Sequence, residues 1–361
     1  FAGYRRLLTN PDLPARAPAY ASELFPETGA VLRDHYPSAR ETYLHLVHGK
    51  NHDHYDFDSG SIVLWGKGRV LANDFGYNGR APQDQHNMVS GPRAPQGIME
   101  VTDFAKGELF DYVSGSKGDW KRQIVLVKGK KSESPTYFVM RDSLKEQDSG
   151  TWRLWLTADE VRSADATTKP IKPAEETKQD LLGENAESKK SSNSLAGLEP
   201  PKPIRTSISG NSIIAVGRED VDLDLFFLVP KSPNLTTHRK SIRAGSGMKA
   251  NWNWGPMTTT QTALISTMEK TSGWNVVLFP RMKSTKRAKF ESLSDGKGVR
   301  ITHGEGVDYV FLSPSPFEFK NKEVDFRGRT GVVQMRGGET RLAIHDIGRL
   351  EAGGKSIKES N

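Results

Sequence analysis

Short runs in which apolar and polar residues alternate recur along most of this chain, and Val, Ile, Thr, Tyr and Phe are frequent in them. Such runs are typical of β-strands that bury one face, and the Gly and Pro residues between them indicate turns. Strands do not alternate with helices, and there is no repeat of fixed period. The pattern therefore predicts an all-β chain.

The predicted strands form two groups. In the first group, residues 61–74 predict a hairpin, because two apolar runs flank the turn Gly66–Gly68. The first group comprises residues 27–34, 41–49, 61–74, 121–130, 135–144 and 150–161. The second group comprises residues 211–217, 223–230, 261–268, 273–281, 298–313, 329–338 and 340–348.

Residues 163–204 differ from both groups, since they are rich in Lys, Glu, Ser, Ala and Pro and nearly lack aromatic residues. Such a segment cannot bury enough apolar surface to offset the entropy of ordering it. We interpret it as an exposed excursion or linker. Residues 1–23 are interpreted as a surface lead-in with one short helical piece.

The amino-acid composition excludes several classes of site and partner. The 361 residues contain no cysteine, which excludes disulfides, thiolate metal sites and cysteine catalysis. No run of 18 apolar residues occurs, so no membrane span is predicted. The net charge of +7 suits a polyanionic partner. Nucleic acid is not the expected partner, because the basic residues are dispersed and no nucleic-acid-binding signature is present.

The stretch NHDHYDFDSG, residues 51–60, concentrates side chains that can bind metals. On an extended strand, His52 and His54 would share a face with Cα atoms roughly 6.5–7 Å apart. Asp74 ends the predicted hairpin and His86 follows after turn residues, so both could approach His54. Two imidazoles and a carboxylate would leave one zinc position for water. The alternative is a polar rim whose histidines cap backbone groups.

Such a metal could be catalytic or could only hold loops together. Tyr55 and Tyr77 flank the cluster and could serve as acid or base, although packing is the simpler interpretation. Three further histidines stand alone in the sequence and are predicted to be structural: His238, His303 and His345.

Several motifs together resemble the heparinase II/III-like family. They are FPETGAVLRD, HGKNHDHYDFDSGSIVLWGKGRVLANDFGY and QHNMV, followed by VTDFAKGELFDYVSG, WKRQIVLVKGK, TYFVMRDSL and GRTGVVQMRGG. The central part resembles the family's H-x-H-x-D strand, its hairpin ending in D-x-G, and its H-N pair. The resemblance covers about residues 24–350.

The resemblance implies a fold. Members pair an N-terminal α/α toroid with a C-terminal region of antiparallel β-sandwiches, and this chain resembles the β region without the toroid. We therefore expect a supersandwich-like antiparallel β-sandwich followed by a smaller C-terminal β-sheet domain. Residues 1–23 would lead in from the toroid. The sandwich would comprise 24–162 and 205–282, interrupted by 163–204, and the C-terminal domain would comprise 283–361.

The resemblance also implies a function and a site. It implies a secreted or periplasmic polysaccharide lyase that cleaves a uronate-containing anionic polysaccharide by β-elimination and needs the toroid for full activity. His54, Asp74 and His86 resemble the ligands of a structural zinc, and His52 resembles the histidine of the active-site cleft. Three neighbours are expected to contact substrate: Asn51, Tyr55 and Tyr77.

The substrate stays open among glycosaminoglycan, alginate and ulvan. Two other functions also stay open. A uronate C5-epimerase shares the chemistry up to the carbanion and differs only in reprotonation. A non-catalytic module that binds an anionic glycan would fit the same net charge.

Overall fold

The protein is represented by a computed structural model that describes residues 20–49, 57–73, 83–94, 97–165, 206–244 and 257–359. Strands dominate these residues, and the helical structure among them is limited to two 3₁₀ turns, Gln83–Gln85 and Ser294–Gly296. No helix within the described ranges is long and apolar enough to cross a membrane.

Within the described residues every strand pair is antiparallel, and the strands form a 16-stranded sheet and a 7-stranded sheet. The large sheet contains β1 (Glu23–Phe25), β2 (Gly29–Asp34), β3 (Thr42–Val47), β4 (Ile62–Gly66), β5 (Arg69–Ala72), β6 (Val89–Ser90), β7 (Glu100–Lys106), β8 (Phe110–Lys117), β9 (Trp120–Val127), β10 (Tyr137–Leu156), β11 (Ala158–Ser163), β12 (Thr206–Ile208), β13 (Ser212–Gly217), β14 (Val221–Val229), β15 (Leu235–Ala244) and β16 (Met257–Met282). The small sheet contains β17 (Lys289–Leu293), β18 (Gly298–His303), β19 (Gly306–Lys320), β20 (Val324–Arg336), β21 (Glu339–His345), β22 (Gly348–Ala352) and β23 (Lys355–Glu359).

Two long strands, β10 and β16, pair along most of their length and carry both layers of a sandwich. The beginning of β10 pairs with β9 and the end of β16 pairs with β14, which gives one layer. The end of β10 pairs with β5 and β6, and the start of β16 pairs with β15, which gives the other layer. Register shifts between Ser143 and Gly150 mark the crossing from one layer to the other.

Gly273 lies on β16 at this crossing, opposite Ser143. Its φ of 130° belongs to the region that favours glycine. A Cβ at this position would come 1.9 Å from the carbonyl oxygen of Asp142. The close approach of the two backbones therefore requires a residue without a side chain.

The main core lies between the two layers of the large sheet. Strand alternation turns Leu44 and Leu64 inward from one layer and Ile124 and Leu225 inward from the other, and all four are fully buried. A second core forms where the small sheet packs on the outer face of the β9–β10 layer, with Val125 and Val310 among its members. The other face of the small sheet has its own core.

A buried charged cluster also joins the two sheets. Asp308 of β19 accepts two hydrogen bonds from Arg336 and one of 2.8 Å from the Tyr137 hydroxyl on β10. The His303 Nε2 lies 3.1 Å from the same carboxylate. Burial alone would raise the pKa of Asp308, but the bonds from Arg336 and then His303 outweigh it and hold this pKa below its usual value. We call these four residues the sheet lock.

The predicted fold class is confirmed: the chain is nearly all β, with a large antiparallel sandwich and a smaller C-terminal sheet. The predicted hairpin is also present as β4 and β5. Its turn residues Lys67 and Gly68 have φ angles of 51° and 80°, as a type I′ turn needs.

Three strand predictions were wrong. Residues 298–313 form parts of two strands, β18 and β19, and not one strand. Residues 150–156 continue β10 and do not start a new strand, while 261–268 and 273–281 belong to the single strand β16. The Gly and polar residues that suggested strand ends instead mark the crossing between layers. The predicted segment boundaries stay predictions, and most of the lead-in 1–23 and of the excursion 163–204 lies outside the described residues.

Candidate functional site

Two loops leave the sandwich at the same end, because β3, β4 and β5 are consecutive antiparallel strands. The first loop runs from the end of β3 to the start of β4. Its ends are joined where the Gly60 amide donates to the Val47 carbonyl at 2.8 Å and the Val47 amide donates to the Ser61 carbonyl at 2.9 Å. The second loop begins after β5 at Asn73, whose amide donates to the Trp155 carbonyl at 3.2 Å.

His86 is the predicted ligand that the structure describes. It directly follows the 3₁₀ turn Gln83–Gln85, its amide donates to the Gln83 carbonyl at 3.3 Å, and it is buried. The remaining predicted site residues lie outside the described residues: Asn51, His52, His54, Tyr55, Asp74 and Tyr77. Their convergence on His86 therefore stays a prediction.

Asn87 fastens the His86 turn to the sandwich. Its side-chain amide donates to the Ile62 carbonyl at 2.8 Å, and its backbone amide donates to the Ser61 hydroxyl at 3.0 Å. Its side-chain oxygen accepts the backbone amide of Trp155. Because β4 begins at Ile62, these bonds place the neighbouring His86 beside the end of the loop that carries residues 51–56.

A buried ion pair lies beneath this junction. The Arg122 guanidinium binds both oxygens of Asp142 at 2.7 and 3.0 Å, and the Trp120 indole donates to the same carboxylate at 2.8 Å. The second terminal nitrogen of Arg122 donates to the carbonyls of Gly60 at 2.6 Å and Asn87 at 2.9 Å. One cation thus fixes the ends of both loops.

Lys117 makes a similar contact with Ser59, the residue before Gly60. Its ammonium group is buried, donates to the Ser59 carbonyl at 2.7 Å and lies 5.1 Å from the centre of the Trp120 ring. Burial, reinforced by the nearby Arg122 charge, lowers the pKa of Lys117 to about 8. We call Asn87, Lys117, Arg122 and Asp142 the loop anchor.

His238, which stands alone in the sequence and was predicted to be structural, lies at the edge of this junction. Strand register places it in one row with Ala263 and Trp155, and its ring lies edge-on to the Trp155 ring with centroids 6.0 Å apart. The Trp155 indole donates at 3.0 Å to the carbonyl of Asp84, in the turn before His86. Strand alternation places Arg153 and Trp155 on the same face of β10, which was the available sequence signal, but this signal did not reveal His238 as the partner.

The chemistry of the described part suits a rigid support. Zinc accepts neutral imidazole and carboxylate ligands, so the predicted set of His54, Asp74 and His86 suits that ion. The burial of His86 and the bonds of Asn87 favour a ligand held in one orientation, since neighbouring hydrogen bonds orient metal ligands. The loop anchor adds cations that bind backbone carbonyls at the described ends of both loops.

No known protein-family profile matches this sequence, and no curated protein matches it at a significant level. Solved structures do match in fold. Heparan sulfate lyase HepC from Pedobacter heparinus shares 12% identity at a TM-score of 0.53, covering 85% of this chain and 45% of that one. A heparinase III shares 14% identity at a TM-score of 0.51, covering 91% and 43%.

A second heparinase III shares 11% identity at a TM-score of 0.53, with 96% of this chain and 44% of that one covered. This chain thus spans less than half the length of the structures that it matches. At such low identity the likeness establishes the fold alone. Over most of its length, this chain has the fold of a heparinase-like C-terminal β region.

Proposed function

We propose that this chain is the β portion of a lyase that cleaves a uronate-containing anionic polysaccharide by β-elimination. The heparinase-like fold over most of the chain carries this proposal. The His86–Asn87 turn supports it, because the turn is fastened beside the loop in which His52 and His54 occur. Matching proteins titled heparan sulfate lyase and heparinase make a sulfated glycosaminoglycan the first substrate to test.

The reaction requires removal of the weakly acidic proton next to a uronate carboxylate. Negative charge then develops on that carboxylate and must be stabilised by a fixed donor. We assign this role to His52, which could also assist as base. An acid must protonate the leaving glycosidic oxygen. We propose that the remaining acid and base groups belong to an α/α toroid in the full-length protein.

A zinc ion on His54, Asp74 and His86 would have a structural role in this proposal. It would connect the 51–56 loop, the end of the hairpin and the turn after Gln85, and so hold His52 toward the substrate. The site would operate on a polysaccharide outside the cell, in a secreted or periplasmic protein.

The test measures unsaturated product by ultraviolet absorbance after incubating the full-length protein with heparan sulfate, heparin, alginate or ulvan. We expect absorbance to rise with a sulfated glycosaminoglycan and to fall at least about 100-fold in H52A, the range for loss of a group that handles a proton. H48Q is the matched control, because His48 is close in sequence and its imidazole bonds the Phe25 carbonyl at 3.2 Å. Equal activity in H52A and the parent protein would contradict the role of His52.

The same incubation separates the alternatives. A C5-epimerase would leave absorbance unchanged and incorporate solvent deuterium at C5 of the uronate. A glycan-binding module would bind the polysaccharide with neither change, even in the full-length protein. Either result would replace the lyase proposal.

A further inference from the structure

Three possible metal ligands meet where the small sheet docks on the large sheet. Asp103 lies on β7, while His345 ends β21 and Asp346 follows it. The His345 Nε2 lies 2.9 Å from an Asp103 oxygen and 3.7 Å from Oδ1 of Asp346. One ligand atom from each residue lies within 4.8 Å of the other two.

Neighbouring side chains orient this group. The Tyr112 ring packs against the His345 imidazole with centroids 4.7 Å apart, and its hydroxyl accepts a bond of 2.9 Å from Gln123. Arg329 binds Oδ2 of Asp346 at 2.6 Å, while Oδ1 of that carboxylate is the oxygen near the imidazole. The imidazole and one carboxylate are therefore already held in place by residues that would not bind a metal.

The group is also reachable from solvent. The side chains of His345, Asp346 and Asp103 are 19%, 24% and 37% exposed. Two carboxylates and one guanidinium leave a net negative charge when the imidazole is neutral. One imidazole nitrogen and two carboxylate oxygens, with open positions for water, suit divalent ions such as zinc or manganese.

The distances also suit a small ion. Ligand atoms about 2.0–2.1 Å from a tetrahedral zinc are about 3.3 Å from one another. The two distances from His345, 2.9 and 3.7 Å, lie on either side of that value.

We propose that Asp103, His345 and Asp346 form a divalent-cation site that clasps the small sheet to the large sheet. Its ligands come from both sheets, so a bound cation stabilises their docking by mass action. The site shares no residue with the predicted set His54, Asp74 and His86, and it does not depend on lyase activity.

The first experiment titrates the protein with zinc or manganese by calorimetry in an H54Q background, which removes the other predicted site. We expect one remaining site in H54Q and none in H54Q/H345Q. R341Q in the same background is the matched control, because Arg341 lies on β21 and pairs across the sheets with Glu108 without being a ligand. It should retain the site.

The second measurement needs no variant. Crystals of the parent protein soaked in zinc should show an anomalous peak about 2.0–2.2 Å from His345 Nε2 and from one oxygen of each aspartate. Zinc should also raise the melting temperature of H54Q but not of H54Q/H345Q. Equal titrations for these two variants, or no anomalous peak, would overturn the proposal and leave a hydrogen bond between His345 and Asp103.

Discussion

The loop anchor and the sheet lock are both built on a buried pair of arginine and aspartate, yet they act on different parts of the molecule. In the loop anchor, Arg122 and Asp142 face each other directly across β9 and β10, and the spare donor of Arg122 binds carbonyls of two loops. In the sheet lock, Arg336 and Asp308 face Tyr137 from another sheet. The first pair orders backbone near the predicted ligands, whereas the second connects two sheets.

The comparison shows that similar buried pairs need not share a function. A buried pair is weak support for stability by itself, but breaking one is costly because it leaves an uncompensated charge. The two clusters differ in the groups that form the remaining hydrogen bonds. In the loop anchor these are the Gly60 and Asn87 carbonyls of two loops, and in the sheet lock the group is the Tyr137 hydroxyl of the other sheet. The four predictions below test this separation.

The largest effect is expected from R122M. This variant leaves the Asp142 charge buried and removes donors from the carbonyls of Gly60 and Asn87, so the free energy of unfolding should fall by about 3–5 kcal/mol. Urea denaturation at neutral pH measures the loss. R122M/D142L should regain part of this stability without regaining the proposed lyase activity, because the loop carbonyls remain without Arg122. Full recovery of activity in R122M/D142L would show that Arg122 does not position the two loops.

D308N should cause the next largest loss of stability. It leaves the Arg336 charge buried without its carboxylate, so we expect a loss of about 3 kcal/mol in urea denaturation while activity per folded molecule is unchanged. Because its folded pKa is lowered, Asp308 stabilises the fold above about pH 4, and this contribution disappears as the pH falls through the folded pKa. D325N is the control, since Asp325 forms its ion pair at the surface. Reduced specific activity in D308N would contradict the separation of the two clusters.

N87A should have a smaller effect on stability and a larger effect on zinc affinity. The buried Ile62 carbonyl and Trp155 amide lose their partner, which costs about 1–3 kcal/mol of unfolding free energy. If zinc binds at His86, its affinity should fall about 10–100-fold, as for other residues that orient ligands. Calorimetric zinc titration checks this. S61A, which removes only the acceptor of the Asn87 amide, should retain more affinity than N87A.

The smallest effect is a pH dependence from Lys117. Since its pKa is lowered to about 8, the unfolded chain binds more protons than the folded chain between about pH 8 and 10.5. The parent protein should therefore gain about 1–2 kcal/mol of stability relative to K117M when the pH rises from about 7.5 to 9.5. Parallel urea denaturation curves at several pH values measure this gain. A constant difference between the two proteins would show that Lys117 does not titrate in this range.

Local patterns were sufficient for most strands, because each needs only alternation and a turn signal. The β4–β5 hairpin was predicted from two apolar runs and the residues Gly66–Gly68, and it forms with the expected turn. The unity of β10 and β16 was not predictable in this way. Gly273 has the sequence signature of a strand end, and only its packing against the Asp142 backbone makes it a bend within a strand.

The candidate site likewise has a part that local sequence patterns predict and a part that depends on tertiary packing. The sequence predicts His54, Asp74 and His86 as ligands, because the spacing of these residues forms a recognisable motif. It did not identify Lys117 or Arg122 as supports, because both donate to backbone carbonyls that are distant in sequence. It did not identify Asp142 either, because the Arg122 and Trp120 donors that it accepts from lie on another strand. It predicted His238 and His345 to be structural but did not identify the partner that each has on another strand.

By itself, the sequence determined the all-β class and the positions of most strands, and it predicted which residues bind a metal or an anionic sugar. These follow from alternation and side-chain chemistry, which are local properties. The tertiary structure decided which charged residues face one another, where the long strands change layer, and how the small sheet docks. Those features depend on strand register and packing, which bring together residues such as Asp103 and His345 that are far apart in the chain.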